Sequence, residues 1–314
     1  MKILYVDPIV ASQRSANYKY YDGVYEELSK SHQIRVHRGP LYDLDQFRLE
    51  TGFEPEAVLF GLGWFGHHKY FGPIRNLDVP AICCLFKPQN DLDGKLEFCR
   101  INEIDLVLTP VPNCDEYQCL TGVRTLLFPY GFDPDVFYDA DGRRSYDIGF
   151  SGALHENTEY VPGAFRVENL RLKIGKILSE QADLNTYWNS SDLSPARIPS
   201  YNDYAAQLNN SKMWLATQAA FGDMTPRYYE VAACGTLLIC QKIPDAYQNI
   251  FQDGHNCVEF ADDLSNFEEK VRFYAQNEPD RSRIAHTAAT EFGQNHTWAH
   301  RAEEMMQLIG ELRK

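Results

Sequence analysis

The chain has 314 residues, 44% hydrophobic and 24% charged, the balance of a globular protein with room for two α/β domains. Lys and Arg number 30 against 44 Asp and Glu, and the resulting net charge of −14 disfavours nucleic acid and anionic membrane as partners. No apolar run of about 18 residues occurs, so no integral membrane segment is expected, and the interrupted opening MKILYVDPIV reads as a strand of a cytoplasmic protein rather than a signal peptide.

In chain order, KILYVD (2–7) reads as a buried strand, 20–29 as a helix and IRVHR (34–38) as the next strand. EAVLFGLGW (56–64), VPAICCLF (79–86), DLVLTP (105–110) and TLLFPYG (125–131) follow as apolar runs with helix-length spacers, the signature of a parallel α/β sheet. FPYGFDPDVFYDADGRRS (128–145) clusters Pro, Gly and Asp as a connector does. The alternation then restarts with the strand YDIGFSGA (146–153), a helix at 165–181, and the strands KMWLATQ (212–218), TLLICQK (236–242) and CVEF (257–260). Helix dominates from about 263 onward. Two sequential α/β units hinged near 138 are therefore expected. A cleft where the carboxyl ends of their strands face each other is the expected ligand site.

The eight cysteines include no Cys-x-x-Cys pair, and those in AICCLF and LLICQKI read as small core residues with free thiols. Structural zinc is not expected. Asp-x-Asp pairs at Asp43/Asp45, Asp91/Asp93, Asp133/Asp135 and Asp139/Asp141 offer hard oxygen ligands for a divalent cation. Their turn-like settings favour capping duty instead, and no metal is expected.

The densest chemistry lies in TPRYYEVAACGTLLI (225–239). Thr225 suits a helix cap, Pro226 the first helical position, and Gly235 the helix end. Arg227 and Glu230, three apart, share one helix face. A guanidinium matches phosphate oxygens, and a carboxylate accepts both hydroxyls of a ribose diol. The plain alternative is an exposed Arg–Glu ion pair.

This segment resembles the donor-binding stretch of the spore-maturation (CgeB-like) glycosyltransferases, relatives of the family-4 retaining enzymes. FQDGHNCVEFADD (251–263), the closing NHTWAHRAEEMMQLI (295–309), the glycine turn of YDIGFSGA and the connector PYGFDPDVF (129–137) resemble the same family in the same order. The resemblance implies a GT-B fold. An acceptor-side Rossmann-like domain would span 1–137, with a C-terminal helix at about 295–314 crossing back to it. A nucleotide-sugar domain would span 138–294. It implies transfer, without metal or other cofactor, from a nucleoside-diphosphate sugar to a hydroxyl acceptor on a glycan or a lipid- or protein-linked saccharide.

By the same resemblance Glu230 holds the ribose, and Arg227, Thr225, Pro226, Gly235 and Thr236 lie near the diphosphate or sugar. Ser151, Gly152 and Ala153 form the turn that approaches the phosphates. Arg166 neutralises the leaving diphosphate, with Arg171 and Lys173 further along the same helix. The family's Glu-x7-Glu pattern is broken, because Gly222 stands eight positions before Glu230 and Asp223 beside it. Asp223 is the candidate replacement, and the retaining outcome depends on it.

His67 and His68, in LFGLGWFGHHKYFG (59–72), are candidates for deprotonating the acceptor hydroxyl; exposed loop histidines are the plain alternative. His155 is a lesser candidate, and His296 and Trp298 read as packing residues. A nucleotide-sugar 2-epimerase and a non-catalytic binder fit the same architecture. Incubation with donor alone separates the three readings.

Overall fold

A computed structural model describes residues 1–7, 19–62, 72–88, 91–152, 154, 167–190, 198 and 200–313. His67, His68, Ala153, His155 and Arg166 lie outside this set. The chain divides into two compact units, Met1–Pro129 with Trp298–Lys314, and Tyr130–Thr158 with Gly163–Thr297.

In the first unit β1 (Lys2–Asp7), α1 (Lys19–Ser29), β2 (Gln33–Arg38), α2 (Leu44–Thr51), β3 (Ala57–Leu62) and β4 (Ala81–Leu85) come first. They are followed by α3 (Leu92–Ile101), β5 (Leu106–Thr109), α4 (Cys114–Thr121) and β6 (Thr125–Leu127). The six strands pair in the order β2-β1-β3-β4-β5-β6, parallel throughout. β4 and β5 are buried along their whole length, which is why they read as unbroken apolar runs rather than alternating ones.

Local chemistry sets several boundaries. Asp43 caps α2 by accepting from the N–H groups of Asp45 and Gln46, and Gly52 ends that helix at φ 64°. Asp91 caps α3 through Gly94 N–H. Asp133 and Asp139 each accept the N–H two residues on, from Asp135 and Asp141. The first carboxylate of every Asp-x-Asp pair is thus engaged with backbone.

The second unit contains β7 (Tyr146–Gly152), α5 (Val167–Ser179), β8 (Thr186–Ser190), α6 (Tyr201–Asn209) and β9 (Ser211–Ala216). It continues with α7 (Pro226–Ala233), β10 (Leu237–Gln241), β11 (Val258–Phe260), α8 (Phe267–Gln276) and α9 (Glu278–Asn295). Its parallel sheet runs β11-β10-β9-β7-β8. Ile148, Phe150, Met213, Leu215, Leu237 and Ile239 form the centre of its core. β8 has no counterpart among the sequence-read strands. TYWNS lacks an apolar run because it is an edge strand whose residues are mostly half-buried.

α10 (Trp298–Leu312) belongs to the first unit and packs against α1, where Gly23 leaves room for the Trp298 indole. The units part at Pro129/Tyr130 rather than near 138. Phe137 explains the shift, meeting the rings of Tyr201 and Tyr204 on α6 edge-on at 6.1 and 5.9 Å. The connector from Tyr130 thus packs as part of the second unit. No helix among the described residues is long and apolar enough to cross a membrane.

Candidate nucleotide-sugar site

In the second sheet the chain steps from β7 to β8 on one side, then returns to place β9 on the other. The carboxyl ends of β7 and β9 therefore flank a topological switch point, where parallel sheets open a crevice for ligands. Ser151 and Gly152 end β7, and Thr217 follows β9.

Two guanidiniums converge there. Arg171, on α5, is 9% exposed and donates from Nε to the Thr217 hydroxyl at 2.8 Å. Its Cζ lies 5.9 Å from the centroid of the Phe150 ring, and that of Arg227 lies 6.0 Å from the same centroid. A Cβ on Gly152 would stand 3.4 Å from Arg227 Nη2 and 3.2 Å from Phe150 Cζ. Glycine at this turn keeps the backbone low against the guanidinium, where a bound anion can reach both.

Arg227 is presented by α7, which starts with Pro226 at its first turn. Thr225 does not cap it. The Thr225 side chain makes no capping bond, and its Oγ1 is buried without a hydrogen-bond partner among the described residues. Backbone φ −53° and ψ 159° at Thr225 are the extended conformation expected of a residue before proline.

Glu230 is 3% exposed, and its Oε2 is buried without a partner among the described residues. The exposed Arg–Glu ion pair is therefore not what α7 carries. Burial pushes the Glu230 carboxyl from 4.5 up to about 8, against the opposing pull of the Arg227 charge. An unpaired buried acid is costly to fold, and such groups mark sites where a ligand supplies the missing bonds. Asp223 is also buried, in the loop between β9 and α7, where its carbonyl accepts the Ala219 N–H. That loop turns through Phe221 at φ 62° and Gly222 at φ 74°, a left-handed pair that costs backbone strain at phenylalanine.

Gly235 and Thr236 do not join this group. They follow the far end of α7 and precede β10, at the amino edge of the parallel sheet. Thr236 Oγ1 donates to Leu208 O and accepts from Arg144 Nη1, at 2.7 and 2.6 Å. Gly235 sits at φ 59° with the Asp139 carboxylate where a Cβ would be. Their role is structural. Gly235→Ala is expected to lower unfolding stability by about 2–4 kcal/mol through left-handed strain and overpacking, while leaving ligand-induced stabilisation intact. Denaturant titration with and without nucleotide checks this, and loss of the ligand effect would return Gly235 to the site.

Of the sequence candidates described, the fold thus brings together Gly152 and Arg227 and sets Glu230 on the same short helix. Arg171, ranked behind Arg166 by its distance from the helix start, proves to be the buried cation on the switch point. Thr217 was not singled out at all, because its position beside β7 depends on strand order. Lys173 and Arg171 are two apart and so do not share a helix face.

Residues 172–307 match the family model described as glycosyl transferase-like. No curated protein sequence matches the chain. Among solved structures, the sucrose-phosphate synthase of Thermosynechococcus elongatus superposes with a TM-score of 0.66 at 12% identity, over 99% of both chains. HepE of Anabaena, in complex with UDP and glucose, superposes with a TM-score of 0.65 at 12% identity, over 99% of this chain and 100% of that one. An alpha-glucosyltransferase in complex with UDP and a 13-mer DNA gives 0.62 at 9% identity, over 99% of both. The chain therefore has the GT-B fold of two Rossmann-like α/β units, and most of the residues that match the glycosyl transferase-like model lie in the second unit.

Proposed function

We propose that the protein is a glycosyltransferase of the CgeB-like type that takes a nucleoside-diphosphate sugar at the switch point of its second unit. The observation that carries the reading is the buried Glu230 carboxyl, whose Oε2 has no partner among the described residues, on the helix whose first turn holds Arg227 against Gly152. In this reading Glu230 receives the two ribose hydroxyls. Arg227 and Arg171 receive the diphosphate, with the Gly152 backbone close behind. Breaking the anomeric bond leaves new negative charge on the β-phosphate, and the two fixed guanidiniums stabilise it as it develops. They supply the positive charge that a divalent cation supplies in other transferases, so the transfer proceeds without metal. Asp223 stands in for the first family acid toward the sugar. The acceptor is a saccharide hydroxyl, and His67 or His68 is its candidate base.

Uridine is the first base to test, since HepE and the alpha-glucosyltransferase carry UDP in their complexes. A thermal-shift screen against UDP, GDP, CMP and ADP, with and without their sugars, is expected to single out one nucleotide. At about 100 times its dissociation constant the ligand adds ~2.7 kcal/mol of stability. If none of the four raises the midpoint, the reading fails.

A further inference from the structure

The second unit holds a separate cavity of about 640 Å³ at the amino edge of its sheet, the edge opposite Gly152 and Thr217. The connector around Arg143 and Arg144, Lys212 of β9, the end of α8 and the first turns of α9 line it.

Arg281 is the unusual wall residue. It is 8% exposed, and its Nη1 donates to the carbonyls of Tyr274 and Ala275 in the last turn of α8, at 2.7 and 3.3 Å. Those bonds explain one nitrogen of the three. Among the described residues Nε and Nη2 make no hydrogen bond and no carboxylate oxygen lies within 4.0 Å of the guanidinium, yet neither nitrogen is sealed from solvent. Arg281 also sits in an early turn of α9, where the helix dipole disfavours a cation and favours an anion. The other cations differ. Arg144 is satisfied by Asp139, Cys234 O and Thr236, and Lys212 by Asp147 at 2.7 Å. Arg143 is exposed and forms no ion pair among the described residues.

We propose that this cavity binds a single small phosphate group, received by the open edge of Arg281 with Arg143 at the rim. A guanidinium edge presents two N–H groups in the geometry that phosphate oxygens accept. Asp141 and Glu278 also line the cavity, and their charges exclude an extended polyanion. The cavity shares a wall with the end of α7 through Gly235, but it contains none of the residues assigned to the nucleotide-sugar.

The test uses inorganic phosphate and isothermal titration calorimetry. Because Arg171 and Arg227 would also attract phosphate, the titration is made in an Arg227→Ala background. Saturable binding of one phosphate is expected to remain there. Arg281→Gln should abolish it, and Arg143→Ala, at an exposed position that leaves folding intact, should weaken it by about threefold or more. Absence of saturable binding in Arg227→Ala overturns the proposal, as does an affinity unchanged by Arg143→Ala. UDP binding to the wild-type chain is scored separately, so failure of the nucleotide reading leaves this result independent.

Discussion

The free protein should lose stability as pH rises from about 5.5 to about 7.5, and Glu230→Gln should remove most of that loss. Folding raises the Glu230 carboxyl from its ordinary 4.5 to about 8 by burying it. Over this interval the folded chain keeps a proton that the unfolded chain has released. Through Glu230 stability therefore falls with rising pH by ~1.4 kcal/mol per unit, or ~3 kcal/mol across the window. Burial pushes the Lys95 ammonium down to about 7, which offsets part of this loss only above pH 7. Asp43 and Asp78 are held below the usual carboxylate range, chiefly by hydrogen bonds from Gln46 N–H and Arg48. Their contributions are lost only as pH falls through those depressed values, below the window. Urea titrations at both pH values, on wild type and Glu230→Gln, read the effect directly. Glu230→Gln should also weaken stabilisation by the nucleotide, because an amide cannot offer two acceptor oxygens to a diol. A wild-type stability that is flat across the window would contradict a buried, unpaired carboxylate.

The second large effect is expected at the two guanidiniums. Each charge-assisted contact to a diphosphate contributes about 1.5–3 kcal/mol, so Arg227→Ala should raise the UDP dissociation constant by roughly 10–150-fold. Arg171→Ala should do the same and also destabilise the fold, since it strips the buried Thr217 hydroxyl of its donor. Arg227→Lys should recover little, because an ammonium lacks the planar fork that spans two phosphate oxygens. Calorimetric titration with UDP checks all three. If uridine and UDP bind Arg227→Ala with the same affinity ratio as wild type, the guanidinium does not touch the diphosphate.

Much of the fold was legible in the residues. Fully buried strands such as AICCL and LLICQ read as apolar runs because the side chains on both of their faces are buried. Pro226 marked the start of α7 and Gly235 its end, since backbone geometry restricts both positions to few residue types. β8 was missed, as an edge strand with one Trp among polar residues carries no period of its own. The candidate site divides in the same way. Arg227 and Glu230 were visible because three-residue spacing on a short helix is local information. Whether they formed an exposed ion pair or a buried carboxyl group apart from a half-buried guanidinium was not.

By itself the sequence determined most of the strands, that there are two α/β units, and which helix carries the paired ionisable groups. These follow from periodicity, caps and turn residues, which act over a few positions along the chain. Only the tertiary structure decided that Arg171 reaches the switch point, and that Thr217 meets it there. It alone placed Gly235 and Thr236 at the opposite edge and left Glu230 Oε2 buried without a partner among the described residues. Those outcomes rest on strand order and burial, which are set by contacts between residues far apart in the chain and shift a group's charge without changing its local pattern.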